Sequence, residues 1–134
     1  MIDVLLIDDE VVFLKSLAEG LRMGPGNFSV LMAATAEKAI DILRTVSVDV
    51  VVTDLKMPGM NGYELIRRLQ TTRPFIPIVI MSAYTRDSVA AQLQGLEFAA
   101  YIEKPASLPH IADVILHVGP RWSARENGKR RAAG

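Results

Sequence analysis

The sequence has no cysteine, no net charge and no long apolar run, and each absence excludes a class of protein. Without cysteine there is no disulfide framework, no iron–sulfur cluster or zinc site held by thiolates, and no cysteine nucleophile. Fifteen basic residues balance fifteen acidic ones, so overall charge creates no attraction to nucleic acid or to an anionic membrane. Apolar runs such as Val50–Val52 are too short to span a bilayer, and Met1-Ile2-Asp3 does not start a signal sequence. We therefore expect a soluble, cytoplasmic protein.

The length and the charge distribution predict one folded domain followed by a basic segment. The 134 residues suffice for one ordinary domain but not for two. Residues 119–134 contain five basic residues and one acidic residue, a net charge of +4, so residues 1–118 carry −4. The composition changes at Gly119-Pro120, a pair that ends helices and strands. We expect a domain over residues 1–118, and a tail or the start of a linker over residues 119–134.

Short β-branched runs alternate with longer stretches of helical spacing, and this alternation predicts the fold. The runs are Val4–Ile7, Val30–Ala33, Val50–Thr53, Ile78–Met81 and Ala99–Ile102. Nearly continuous apolar strands suit a parallel sheet covered by helices on both faces. We therefore predict an α/β fold, a flavodoxin-like, doubly wound sheet of five parallel strands in the order 2-1-3-4-5 within three α/β/α layers. Its crevice would lie at the carboxyl ends of strands 1 and 3.

The helical stretches carry signals of their own. Thr35 and Asn61 are suitable N-caps, and Pro109 suits the first turn of a helix. Apolar spacing starts the first helical pattern at Val12 and carries the fourth as far as Leu96.

Polar side chains follow four of the predicted strands. Asp8 and Asp9 follow strand 1, Asp54 follows strand 3, Ser82 ends strand 4 and Lys104 follows strand 5. Clustered carboxylates repel one another unless a cation offsets their charge, and a hard divalent ion such as Mg²⁺ prefers oxygen ligands. A lysine and a hydroxyl nearby are groups that stabilise phosphoryl oxygens. The set predicts a site at which an aspartate accepts a phosphoryl group as an acyl phosphate.

Four sequence motifs, in this order and spacing, resemble the receiver domain of two-component response regulators. They are Asp8-Asp9-Glu10, the run Asp54 to Leu65 (DLKMPGMNGYEL), Ser82-Ala83 and Lys104-Pro105. Each motif alone is modest support, since short motifs have a high false-positive rate. Together, at the ends of strands 1, 3, 4 and 5, they identify residues 1–118 as a member of this family.

The resemblance implies a role for each residue of the acidic site. Asp54 is the phosphoacceptor. Mg²⁺ or Mn²⁺ is held by the side chains of Asp9 and Asp54 and by the backbone carbonyl of Lys56, whereas Asp8 acts through a metal-bound water. Lys104 pairs with the phosphoryl oxygens.

The resemblance also implies a conformational switch. Ser82 would turn inward to hydrogen-bond the phosphoryl group and Tyr101 would follow it, although a static, half-buried Tyr101 stays an alternative. The bond before Pro105 is expected to be cis. Two side chains, Lys56 and Tyr84, would flank the path of the water that hydrolyses the acyl phosphate. Shielding by this pair predicts a long-lived phosphoaspartate, and solvated side chains without effect are the alternative.

One part of the chain departs from the family pattern. Family members carry Gly-Ala shortly before the aromatic residue of strand 5, where this chain has Glu97 and Phe98, and Gly95 lies two residues too early. We expect the turn between helix 4 and strand 5 to be shifted or lengthened.

The expected partners follow from the same resemblance. A histidine kinase or phosphotransfer protein would donate the phosphoryl group, and an unidentified output domain or target would read the helix 4–strand 5–helix 5 surface, through which a homodimer could also form. No membrane and no direct nucleic-acid contact by the receiver are expected, and the domain would catalyse only its own phosphorylation and dephosphorylation rather than act as a turnover enzyme. Two alternatives stay open: a haloacid-dehalogenase-like, Mg²⁺-dependent phosphatase, and a receiver-fold binding module that works without phosphorylation.

Overall fold

The structure, a computed structural model, describes residues 1–119; the predicted basic tail lies, from residue 120 onward, outside the described residues. Five parallel strands form one sheet: β1 (Ile2–Ile7), β2 (Phe28–Ala33), β3 (Val50–Thr53), β4 (Ile78–Ser82) and β5 (Ala100–Glu103). Their order is β2-β1-β3-β4-β5, which confirms the predicted doubly wound fold. Over residues 1–119, none of the helices has both the length and the apolar character that a bilayer crossing requires.

Helices connect the strands and cover the sheet. They are α1 (Val11–Met23), α2 (Ala36–Thr45), α3 (Gly62–Thr72), α4 (Ala90–Leu93, after a 3₁₀ turn at Asp87–Val89) and α5, which begins at residue 108 and extends to residue 119. Both predicted N-caps are confirmed, because the side chains of Thr35 and Asn61 accept hydrogen bonds from backbone N–H groups three residues later, at 3.1 and 3.0 Å. Pro109 lies in the first turn of α5, as its fixed φ favours.

The sheet has a separate apolar layer on each face. Strand β1 shows how the layers arise, because successive side chains of a strand point to opposite faces. Val4 and Leu6 pack in one layer with residues of α1 and α5. Leu5 and Ile7 pack in the other layer with residues of α2, α3 and the α4 region. All four side chains are almost completely buried, so β1 is a central strand covered on both faces.

The structure confirms the start of the first helical pattern to within one residue, but the predicted extent of the fourth was wrong. Helix α1 begins at Val11, and Val12 is 85% exposed because it lies on the helix face opposite Leu14, where the buried stripe of α1 starts. Helix α4 ends at Leu93, well before Leu96, and consists of a single turn. The reason is Gly95, whose φ of +81° lies in the left-handed region that stops a helix.

A side chain of α3 stabilises the turn between α4 and β5 through two hydrogen bonds. The side-chain amide of Gln70 donates to the carbonyl of Gly95 at 3.1 Å and accepts from the N–H of Glu97 at 2.9 Å. The glycine with positive φ thus lies two residues before the family position, and one side chain bonds the backbone on both sides of Leu96.

Candidate functional site

The sheet register brings the acidic residues together. Ile7 of β1 and Thr53 of β3 are paired neighbours, so the residues that follow them, Asp8 and Asp54, leave the sheet side by side. Carboxylate oxygens of Asp8, Asp9 and Asp54 all lie within 4.8 Å of one another. Asp8 is buried, Asp54 is half-buried and Asp9 is exposed, so the cluster opens to solvent on the Asp9 side.

Lys104 connects the two less exposed carboxylates. Its Nζ donates to Oδ2 of Asp8 at 2.7 Å and to Oδ2 of Asp54 at 3.1 Å, and it lies 4.6 Å from the centre of the Phe13 ring. Burial by itself would lower the pKa of Lys104, but the hydrogen bonds and negative charges of Asp8 and Asp54 outweigh burial and raise this pKa above its ordinary value. The ammonium is therefore fully charged at neutral pH. The Lys104–Pro105 peptide bond is cis.

The hydrogen bonds of the three carboxylates differ. Asp8 has both oxygens engaged, since Oδ1 accepts from the N–H of Glu10 at 2.9 Å and Oδ2 from Lys104. Asp54 accepts from the N–H of Leu55 at 2.7 Å through Oδ1, and from Lys104 through Oδ2. Within residues 1–119, the Asp9 carboxylate accepts no hydrogen bond, which leaves it free to ligate a cation.

The donor set fits a divalent cation with a preference for oxygen. The cluster combines three carboxylates with one ammonium, which leaves a formal excess of two negative charges for an ion to offset. Oxygen ligands of this kind match Mg²⁺ better than a softer metal. Lys56, whose carbonyl the resemblance adds to this set, stands two residues after Asp54, between the buried side chains of Leu55 and Met57.

Hydroxyl groups lie on the other side of Asp54. Ser82 is completely buried, and its Oγ accepts from the N–H of Tyr84 at 3.1 Å. The hydroxyl of Tyr101 donates to the carbonyl of Tyr84 at 2.7 Å, and its ring meets Phe98 edge to face at 6.5 Å. Burial raises the pKa of Tyr101; a hydrogen bond with Ser82 opposes this rise, and the negative charges of Glu103 and Asp54 add to it. Ser82 and Tyr101 thus meet around the backbone of Tyr84.

The side chains predicted to flank the water path contact each other. Nζ of Lys56 lies 5.3 Å from the centre of the Tyr84 ring, a distance typical of a cation–π pair. The contact joins the loop after β3 to the loop after β4, the two loops that follow Asp54 and Ser82.

Two side chains near the site were missed by sequence reasoning. Phe13 lies under the Lys104 ammonium, and Glu37 accepts a hydrogen bond from the N–H of Met60 in the loop after Asp54. Both belong to helices rather than to strand ends. Because the prediction used strand ends alone, the only sequence signal for them was their place in the first turns of α1 and α2.

Comparisons with known proteins agree with this geometry. The family model described as "Response regulator receiver domain" matches residues 4–116. The transcriptional regulatory protein GlrR of Escherichia coli (strain K12) is 35% identical over 104 residues, which are 76% of this chain and 22% of GlrR. The chain spans less than half the length of these curated relatives, between 22% and 46%.

Two solved structures share the fold. A CheY-like response regulator receiver domain protein from Methanospirillum hungatei JF-1 has a TM-score of 0.84 at 22% identity, over 93% of this chain and 98% of that one. The response regulator TrrA from Thermotoga maritima, solved in complex with Mg²⁺ and BeF, has a TM-score of 0.77 at 20% identity, over 88% of this chain and 99% of that one. With the family match over residues 4–116, these findings place the chain in the receiver domain family of two-component response regulators.

Proposed function

We propose that Asp54 accepts a phosphoryl group from a phosphohistidine on a partner histidine kinase or phosphotransfer protein. The observation that carries the proposal is the position of Asp54, which lies beside two further carboxylates and accepts a hydrogen bond from Lys104. The Asp54 carboxylate is partly exposed, so a phosphodonor can reach it, as a nucleophile requires. Several curated relatives are named response regulators, which supports the donor class.

The proposed transfer forms one bond and breaks one. A carboxylate oxygen of Asp54 attacks the phosphorus in line, an O–P bond forms, and the P–N bond to the donor imidazole breaks. The imidazole nitrogen keeps the electron pair and takes a proton from solvent. The product on this chain is an acyl phosphate.

The remaining site residues stabilise the charge that arrives with the phosphoryl group. The side chains of Asp9 and Asp54 and the Lys56 carbonyl would hold Mg²⁺ or Mn²⁺, which when bound offsets negative charge on the phosphoryl oxygens. Asp8, whose oxygens are already hydrogen-bonded, contributes through a water. Lys104 exchanges its bond to Asp54 for one to a phosphoryl oxygen, so the ammonium keeps a partner throughout.

The proposed switch begins at Ser82. In this structure the Ser82 hydroxyl accepts from the N–H of Tyr84, and the Tyr84 carbonyl accepts from the Tyr101 hydroxyl, so turning Ser82 toward a phosphoryl oxygen would disturb the backbone that Tyr101 bonds. The Tyr101 ring lies on β5 against Phe98, so the change reaches the surface formed by α4, β5 and α5. An output domain, a target protein or a second copy of the chain would read this surface. Receiver chemistry of this kind is self-modification rather than turnover.

A small phosphodonor tests the proposal without the partner kinase. We expect acetyl phosphate with Mg²⁺ to add one alkali-labile phosphoryl group to the wild type, detected by intact mass, and none to Asp54→Asn. Equal labelling of Asp54→Asn would contradict the assignment.

The same experiment separates the two alternatives. A haloacid-dehalogenase-like phosphatase would release phosphate with many turnovers. It would also take its nucleophile from strand 1, where Asp8 is buried with both oxygens engaged. A phosphorylation-independent binding module would not be labelled at all.

A further inference from the structure

The loop between β3 and α3, residues 54–61, is anchored mainly by its own residues. The N–H of Gly62 donates to the carbonyl of Leu55 at 2.9 Å, and Leu55 and Met57 are buried. Asn61 caps α3. These anchors fix both ends of the loop, whereas Pro58 and Gly59 between them are exposed.

One further anchor comes from α2. A carboxylate oxygen of Glu37 accepts from the N–H of Met60 at 3.1 Å. Gly59 has a φ of +74°, a conformation that favours glycine, and a Cβ built at Gly59 would lie 3.2 Å from the same oxygen. The carboxylate is therefore seated against the Gly59–Met60 peptide, so that a larger side chain at residue 59 would displace it.

The position of Glu37 is itself well defined. It lies in the first turn of α2, between the Thr35 cap and the buried Ala39. Hydrogen bonds from its own backbone N–H and from Met60 lower the pKa of Glu37, and the positive charge of Arg68 acts in the same direction. The side chain is thus an ionised acceptor at neutral pH.

We infer that Glu37 is a positioning residue of the metal site, because it fixes the loop that carries the Lys56 carbonyl. The inference rests on the proposed role of that carbonyl, together with Asp9 and Asp54, in holding Mg²⁺. Without the Met60 bond, residues 58–60 gain conformational freedom that is lost again when the ion orders the loop, and this entropy lowers the affinity. Glu37 does not touch the ion and acts only through the backbone.

Three substitutions distinguish this role from a simple effect of charge. Glu37→Ala removes the acceptor and the charge, Glu37→Gln removes the charge and keeps an acceptor oxygen, and Glu64→Ala is the matched control. Glu64 is another exposed glutamate, in the first turn of α3, whose side chain accepts no hydrogen bond within the described residues.

The readouts are Mg²⁺ affinity by NMR titration and hydrogen exchange of the Met60 amide in the metal-free protein. We expect Glu37→Ala to bind Mg²⁺ roughly threefold to fivefold more weakly, as for one lost hydrogen bond, and to exchange the Met60 amide faster. Glu37→Gln should stay close to the wild type in both measurements, and Glu64→Ala should be unchanged.

Three other outcomes would contradict the inference, and each would point to a different reason. Unchanged Mg²⁺ affinity in Glu37→Ala, with normal binding by the wild type, refutes the positioning role and leaves the proposed metal site intact. Equal weakening in Glu37→Gln and Glu37→Ala assigns the effect to charge instead. A wild type that binds no Mg²⁺ refutes the metal site and this inference together.

Discussion

At the ends of β1 and β3, three carboxylates cluster, and two of them bond the ammonium that Lys104 brings from the end of β5. Along β4 and β5, by contrast, a serine and two tyrosines meet through hydrogen bonds between neutral groups. On the first side, here called the acidic side (Asp8, Asp9, Asp54 and Lys104), the bonds are charged, and neutral ones are about half as strong. On the second, the hydroxyl side (Ser82, Tyr84 and Tyr101), the neighbouring helix α4 is one turn long. We infer from this comparison that the proposed phosphoryl transfer uses the side with the stronger bonds, and that the proposed conformational response uses the side with the weaker ones.

The largest expected effect comes from removing the one cation of the acidic side. Lys104→Ala should still bind Mg²⁺, more tightly than the wild type, because a competing positive charge has gone. Phosphorylation should no longer change the NMR signals of β5 and α5, since the phosphoryl group has lost its ammonium partner. Normal switching combined with lost metal binding would contradict the assigned role.

The same variant has an expected pH signature. Stability should fall on the order of 2 kcal/mol at neutral pH, because Asp8 stays buried without its cation. Since the pKa of Lys104 is raised above 10.5, its stabilising charge is fully present below that value and is lost as the pH rises through the raised pKa. Urea unfolding should therefore show a constant difference between wild type and variant up to about pH 10, and a shrinking one above it.

The second prediction compares the contributions of Asp9 and Asp8 to Mg²⁺ binding. Asp9→Ala should weaken Mg²⁺ binding on the order of tenfold, equivalent to about 1.4 kcal/mol, because a direct ligand is lost. Asp8→Ala should weaken it less, since both oxygens of Asp8 are already engaged by Glu10 and Lys104. NMR titration of both variants gives the comparison; equal or reversed losses would reject the ligand assignment.

The third prediction concerns the contact that joins the two sides. Lys56→Asn and Tyr84→Ala should each speed autodephosphorylation roughly twofold to fivefold, since a cation–π pair of this strength no longer covers the water path. The release of phosphate from the phosphorylated protein measures the rate. Lys15→Asn, an exposed lysine substitution on α1, is the control and should be neutral. Unchanged or slower hydrolysis in both variants would refute shielding.

The smallest expected effect is a gain in stability when a buried hydroxyl group is removed. Within residues 1–119, the Tyr63 hydroxyl is buried without a hydrogen-bond partner, and burial raises its pKa. Tyr63→Phe should therefore raise the free energy of unfolding by up to about 1 kcal/mol. Tyr101→Phe should lower it, because that hydroxyl bonds the Tyr84 carbonyl. Urea unfolding measures both, and a loss of stability in Tyr63→Phe would show that its hydroxyl has a partner in solution.

Much of the fold could be predicted because the strands are nearly continuous apolar runs, which only a parallel sheet covered on both faces accommodates. The positions of Asp8 and Asp54 followed from the same logic, since the carboxyl ends of neighbouring parallel strands share one edge. Helix ends were harder. Spacing alone did not show that Gly95 stops α4, because the apolar pattern continues to Leu96, beyond the end of the helix.

Contacts between helices and loops could not be predicted at all. The bond from Met60 to Glu37 joins residues 23 apart, and the Gln70 bonds join residues 25 and 27 apart. No periodicity or motif encodes such pairs, since each depends on how two separate elements pack. The ligand roles and the switch stay predictions that the experiments above address, and the boundary at residue 118 also stays a prediction.

The length of strand β1 affects both the packing of the sheet and the position of the acidic residues. Its alternating side chains supply both apolar layers, and its next residues are Asp8 and Asp9. Adding or deleting one residue within β1 would exchange the two layers and shift both carboxylates at once. We therefore expect the length of β1 to vary less during evolution than the lengths of the loops that carry no site residue.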